Sequence, residues 1–447
     1  MKESERIIYH IYPLGFCGVL YGNDFKSEPR HEIKKINSEW IEHIKNAGFN
    51  TVYFGPLFES VYHGYDTADY YTIDRRLGTD NDFKDLVRRF HDYGIEVIVD
   101  GVFNHVGTDF WAFCDVVKKG KDSEYVNWFF TDFEKESIND FPFYYEGWEG
   151  DHTLVKLNLS DENLFNHLSG AVKKWIEYFN IDGIRFDVAY ALDRNFIRKI
   201  SQYCRNIKPD IWLLGEMIHG DYNEIVNPGM FNSSTNYEVY KGIYSSHNDG
   251  NYFEIEYALG RQYGNEGIYK NLLLYNFTDN HDVSRIASVL KNPAHLYPVY
   301  IMLFTIPGIP SVYYGSEWGI SGKKEDGDEC LRPEINIENI KTENPDLIKT
   351  VKKLLEIRKN SAALKNGKYS RILVKNEQFV FMRENPEEKY IIALNMSGET
   401  WVSFPEIPAG NYLEDILNNE KIYPQNGYYN LKLYSSWGRI MKIKRNN

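Results

Sequence analysis

Short apolar or β-branched runs recur along the chain, each followed by a stretch patterned like an amphipathic helix. The runs are IIYHIYPL, NTVYFGPL, IEVIVDGV, DGIRFDV, IWLLGE, TNYEVYK, LLLYNFTD and IPSVYYG. Between them lie segments such as DFKDLVRRFHDYG and LSGAVKKWIEYFN, whose apolar residues return at helical intervals. Such alternation fits a doubly wound open sheet or a (β/α)8 barrel. Eight runs, with polar residues gathered at their C-terminal ends, favour the α/β barrel, because barrel enzymes build their sites there. No glycine-rich dinucleotide fingerprint follows the first run.

The spacing breaks once. The third run ends near Asn104 and the fourth begins near Asp182, more chain than one helix needs. The stretch from Tyr125 to Asn163 is dense in aromatics and has no clear helical period, so a small inserted subdomain is expected over 106–160. The barrel then occupies 1–105 and 161–365. Beyond about residue 366 the pattern turns to antiparallel strands with polar turns, and a C-terminal β-sandwich is expected over 366–447.

Composition narrows the partners. Aromatic residues reach 16%, with 35 Tyr, which suits either dense cores or rings that stack on sugars. The net charge of -13 argues against nucleic acid and anionic membrane surfaces, both of which need a positive face. No run has membrane-spanning length, and the N-terminal stretch lacks a signal peptide's apolar core, so cytoplasmic residence is expected. Cys17, Cys114, Cys204 and Cys330 form no paired motif and are expected as free thiols.

GIRFDVAYA, residues 183–191, carries the sharpest question. Ile184, Phe186 and Val188 alternate as in a buried strand, which puts Arg185 and Asp187 together on the other face. Buried charges cost several kcal/mol unless paired, so the two are either a closing ion pair or a working site, with Arg185 expected to hold Asp187 ionised. Other run ends favour work. WLLGEM places Glu216 after an apolar stretch, a setting suited to a proton donor; FTDNHD brings Asp279, His281 and Asp282; VIVDGVFNH brings Asp100, Asn104 and His105. Metal-ligand spacing is poor and no G-x-S-x-G elbow occurs, whereas one protonated and one ionised carboxyl suit a glycosidic bond.

DGVFNH (100–105), GIRFDVA (183–189), GEM around Glu216 and FTDNHD (277–282) match, in order and spacing, the four sequence regions of the α-amylase family of retaining glycoside hydrolases, which this chain resembles. KLNLSDEN (156–163) resembles the family's fifth region and points to its maltodextrin- and cyclomaltodextrin-processing branch. The resemblance implies Asp187 as nucleophile, Glu216 as acid and base, and Asp282 as the third acid. It implies that Arg185 fixes Asp187, with Asp100 as second partner, and that His105 and His281 bond hydroxyls of the cleaved sugar. By the same likeness Tyr65 stacks on that sugar, His63 binds a hydroxyl, and Asp328 and Arg332 grip the neighbouring sugar.

VAYALD replaces the family's Lys-His pair after the nucleophile, which argues against a long endo-acting cleft. Asn104 stands where relatives support a structural calcium ion, but the insert shows no certain partner carboxylates, so structural calcium is possible but not predicted, and no cofactor is required. The expected activity is retaining hydrolysis of α-1,4 bonds in maltooligosaccharides or cyclomaltodextrins. The rival is a 4-α-glucanotransferase with the same site; a non-catalytic binding protein fits less well, since all three acids are present. Oligomeric state is left open by the sequence.

Overall fold

The computed structural model describes residues 1–138, 141–340, 342–407 and 410–445. Eight parallel strands form the centre: β1 (Ile8–Ile11), β2 (Thr51–Phe54), β3 (Glu96–Gly101), β4 (Gly183–Phe186), β5 (Trp212–Gly215), β6 (Ser233–Ser234), β7 (Tyr275–Asn276) and β8 (Ile309–Tyr313). Their spatial order is β6-β5-β4-β3-β2-β1-β8-β7, and a parallel bridge from Thr235 to Tyr275 joins the two ends into a barrel.

Residue parity builds this object. Val52, Phe54, Val97, Val99, Ile184, Phe186 and Leu213 face outward into the core shared with the helices. Ile8, Tyr53, Ile98, Trp212, Leu214, Tyr275 and Ile309 fill the barrel interior. Both faces of a parallel sheet are thus covered, which is why the runs read as nearly continuous apolar sequence. The flanking helices start where caps permit. Thr79 and Asp82 form a reciprocal capping box on Asp80–Asp92, and Asp161 accepts from Leu164 N–H at the head of Glu162–Glu177.

The sixth strand departs from expectation. TNYEVYK is the start of a helix, Tyr237–Asp249, capped by Asn236, and the strand lies just upstream at two serines. Tyr237, Tyr240 and Tyr244 pack ring against ring at 6.0 and 5.1 Å. A helix puts these three on one side, whereas a strand would split the first two between faces. Ser233 anchors the strand by donating to Leu273 O (2.6 Å).

After β3 the chain forms an antiparallel sheet from His105–Gly107, Asp151–Lys156 and Gly147–Trp148, with a helix at Trp111–Lys119. Phe113, Phe129, Phe143 and Tyr145 give this segment a buried aromatic centre. The C-terminal region is a six-stranded antiparallel sheet packed on a two-stranded one. Val380, Ile391, Val402, Phe404, Leu431 and Met441 fill the space between them. The other face of the large sheet meets the helix Leu296–Thr305, buried at every position but Tyr297, which ties it to the barrel. Among the described residues no helix is long and apolar enough to cross a membrane.

Candidate active site

Strand register assembles the charges. In the β3–β4 pair Asp100 lies opposite Arg185, and both side chains are buried at the C-terminal end of the barrel. Asp187 lies just past β4 and Glu216 just past β5. Asp187 N–H donates to Gly101 O (3.1 Å) and Glu216 N–H to Phe186 O (2.9 Å), so neighbouring strands hold both acids at the same height.

One guanidinium joins three carboxylates. Arg185 Nη1 donates to Asp187 Oδ1 (2.6 Å) and to Asp100 Oδ1 (2.9 Å), and Nη2 lies 2.8 Å from Glu216 Oε1. Asp100 Oδ2 also accepts from Tyr53 Oη (2.8 Å) and Tyr65 Oη (2.9 Å). Beyond the expected partners Asp187 and Asp100, Arg185 also reaches Glu216. Burial pushes the Asp187 carboxyl up, Arg185 pulls it back only in part, and Glu216, Asp100 and Asp282 add to the rise. Arg185 is thus a counter-ion that Asp187 shares with Asp100 and Glu216.

Val188 also departs from the strand pattern. β4 stops at Phe186, and Val188 takes a left-handed backbone (φ 50°), rare for a β-branched residue. Its N–H is thereby aimed at Glu216 Oε2 (3.0 Å). Glu216 Oε1 is within 3.4 Å of Tyr237 Oη, which accepts from Asn280 Nδ2 (3.2 Å).

The third acid comes from the loop after β7. Asp279 is buried and fastens that loop by accepting from Ile286 N–H (2.9 Å) and Ser316 Oγ (2.8 Å). Asp282 keeps 36% of its side-chain exposure, with Oδ2 3.0 Å from His281 Nε2 and Oδ1 3.6 Å from Arg332. Burial raises the Asp282 carboxyl, but His281, Arg332 and Arg185 outweigh it and hold it below the usual range. Asp187 and Asp282 are thus pushed in opposite directions within one site.

The remaining expected residues gather here too. Tyr65 stacks one ring face on His281 (5.3 Å, 10°), and its hydroxyl is in hydrogen-bond contact with His281 Nε2. His281 is engaged by protein groups at Nε2, while Nδ1 is buried without a partner among the described residues. His105 is buried with Nε2 unpartnered among the described residues, and burial pushes its imidazole down to about 3, so it is neutral. His63 is partly exposed and its carbonyl accepts from Tyr12 Oη. Arg332 pairs with Asp328 (2.7 Å) and lies over the Tyr12 ring at 4.5 Å.

The sequence reading missed Tyr12, Tyr53, Tyr237 and the rim formed by Trp148, Tyr190 and His219. Trp148 sits 6.0 Å from His105 and 6.2 Å from Tyr190, which lies 4.9 Å from His219. Only the high aromatic content hinted at these. Among the described residues no group of three or more His, Cys, Asp or Glu could hold a metal ion.

The model of the alpha-amylase catalytic domain matches residues 33–334. Cyclomaltodextrinase of Thermoanaerobacter pseudethanolicus is 31% identical over 434 residues, covering 94% of this chain and 74% of the relative. Neopullulanase 2 of Thermoactinomyces vulgaris is 29% identical over 469 residues, covering 98% and 77%. A solved cyclomaltodextrinase structure shares the fold, with a TM-score of 0.86 at 24% identity over 99% of this chain and 78% of that one. With that model running through most of the barrel and a relative aligned along nearly its whole length, this chain belongs to the alpha-amylase family of glycoside hydrolases.

Proposed function

We propose that the protein hydrolyses α-1,4-glucosidic bonds of maltooligosaccharides or cyclomaltodextrins with retention of configuration, through a glycosyl intermediate on Asp187. The observation that carries this reading is the single guanidinium of Arg185 bridging Asp187 and Glu216 at the barrel mouth, with Asp282 beside them on the β7 loop. Retaining chemistry needs two neighbouring carboxyl groups, about 5–5.5 Å apart.

Asp187 Oδ1 is occupied by Arg185, and Oδ2 has no hydrogen-bond partner among the described residues, which leaves it to attack the anomeric carbon. As that bond forms, Glu216 gives its proton to the glycosidic oxygen and the C–O bond to the leaving sugar breaks. Glu216, now a carboxylate, takes a proton from water; the resulting hydroxide displaces Asp187 and the site returns to its starting state. Asp282, Tyr65, His63, His105, His281, Asp328 and Arg332 bind and orient the sugars in this reading. Cytoplasmic residence is supported by the thiols, all four of which are free in the fold.

The test is maltotriose with products followed by NMR and chromatography from the first minutes. Shorter products released as the α-anomer are expected. Release of the β-anomer would overturn retention, and early elongation beyond maltotriose would assign the site to a glucanotransferase.

A further inference from the structure

A second concavity lies at the opposite end of the barrel. A cavity of about 330 Å3 opens between the segments entering β7 and β8, marked by Leu273 and Gly308, and the C-terminal region, marked by Gly367 and Arg383. That is room for about ten waters at ~30 Å3 each. Its walls carry Lys270, Lys365, Lys368 and Arg383 and, among the described residues, no Asp or Glu. The chain as a whole has 64 acidic residues against 51 basic ones, so this local composition runs against its average.

The buried part of the wall is more pointed. Arg383 is 1% exposed and donates to Thr305 O (2.6 Å) and Gly367 O (2.9 Å). Near it Arg358, fully buried, donates to the carbonyls of Phe304 (2.9 Å) and Gly308. Neither guanidinium has a carboxylate partner among the described residues. Burial pushes both down to about 9, and Arg358 lowers Arg383 further. Among the described residues Lys270 and Lys365 likewise meet only carbonyls, those of Asn265 (3.2 Å) and Lys359 (3.1 Å). The buried hydroxyl of Tyr369, another wall residue, has no partner among the described residues.

A helix C-terminus supplies about half a negative charge, which offsets part of one guanidinium and leaves the rest uncompensated. A purely structural clamp explains the two arginines gripping carbonyls, but not three further cations around an open cavity without an acid. We propose that this cavity binds a phosphate group, as the free ion or as the monoester of a small polyol that fills the remaining space. Arginine and lysine together are the side chains suited to phosphate oxygens. The site is separate from the catalytic reading and does not depend on it.

The test is isothermal titration of the full chain with inorganic phosphate, with a hexose monophosphate, and with chloride at matched ionic strength. One saturable site per chain is expected for the phosphates in the millimolar range or tighter, and none for chloride. The exposed-charge variant Lys270→Glu/Lys368→Glu should weaken binding at least about tenfold while hydrolysing maltotriose at the parent rate. Tighter monoester binding assigns the cavity to a phosphorylated metabolite, and equal affinity assigns it to the free ion. Absence of saturable phosphate binding, equal heat from chloride, or unchanged affinity in the variant would overturn the proposal.

Discussion

The two ends of the barrel solve the same electrostatic problem in opposite ways. At the C-terminal mouth Arg185 is buried among Asp100, Asp187 and Glu216, so negative charge exceeds positive. At the N-terminal end Arg358 and Arg383 are buried, among the described residues, against carbonyl oxygens and no carboxylate, so positive charge exceeds negative. A surplus of carboxylate suits chemistry that must move a proton and stabilise a positively charged sugar. A surplus of guanidinium offers nothing to such a reaction. The difference teaches that burial of charge is not itself the mark of a catalytic centre; the sign left uncompensated decides what each end can meet.

The largest effect expected from breaking this contrast is at the mouth. Asp187→Asn keeps the shape of the site but removes the attacking oxygen, and kcat on maltotriose should fall by roughly 10^4-fold, while the Tm stays near that of the parent. A loss of less than about tenfold would remove Asp187 from the nucleophile's role. Next in size is Arg185→Met, which strands three carboxylates around an apolar side chain. Destabilisation of about 3–5 kcal/mol is expected in urea unfolding at neutral pH. Carboxyl groups stripped of their counter-ion bind protons more tightly folded than unfolded, so the folded variant gains protons as pH falls. Its deficit should therefore be greatest near neutrality and shrink as pH drops through the carboxylate range. A deficit that stays constant from neutral to acid pH would show that Arg185 acts by packing, not by charge.

Much of the mouth was legible in the sequence because period-two alternation is a strong signal. Ile184 and Phe186 mark the outward face of β4, which forces Arg185 inward, and the acids at 187, 216 and 282 follow the fourth, fifth and seventh runs. What stayed hidden has physical causes. β6 is two serines, with no apolar periodicity to read, so nothing in the sequence separates the strand from the tyrosines of the next helix, and the place of Tyr237 in the site is hidden. The left-handed turn at Val188 has no residue signature, since valine is among the residues least suited to it. The other end was wholly unreadable. Arg358 sits in the helix Leu347–Lys359 among lysines, Arg383 in a C-terminal strand, and each looks like an ordinary solvated charge until the helix Leu296–Thr305 brings its carbonyls to both.

The smallest of the expected effects sharpens the comparison most. Arg358→Met, as deeply buried as Arg185→Met, strands the carbonyls of Phe304, Ile306 and Gly308, which are dipoles and not charges. Leaving such acceptors unsatisfied costs about 1–3 kcal/mol, and part of this is returned because a guanidinium without a carboxylate no longer has to be kept out of water. The deficit in urea unfolding should thus be smaller than that of Arg185→Met and, with no carboxylate set free, flat from neutral pH down through the carboxylate range. If the two variants instead lost equal stability and shared one pH profile, the distinction between an end that stores negative charge and an end that stores positive charge would fail, because both arginines would then be acting as equivalent space-filling clamps.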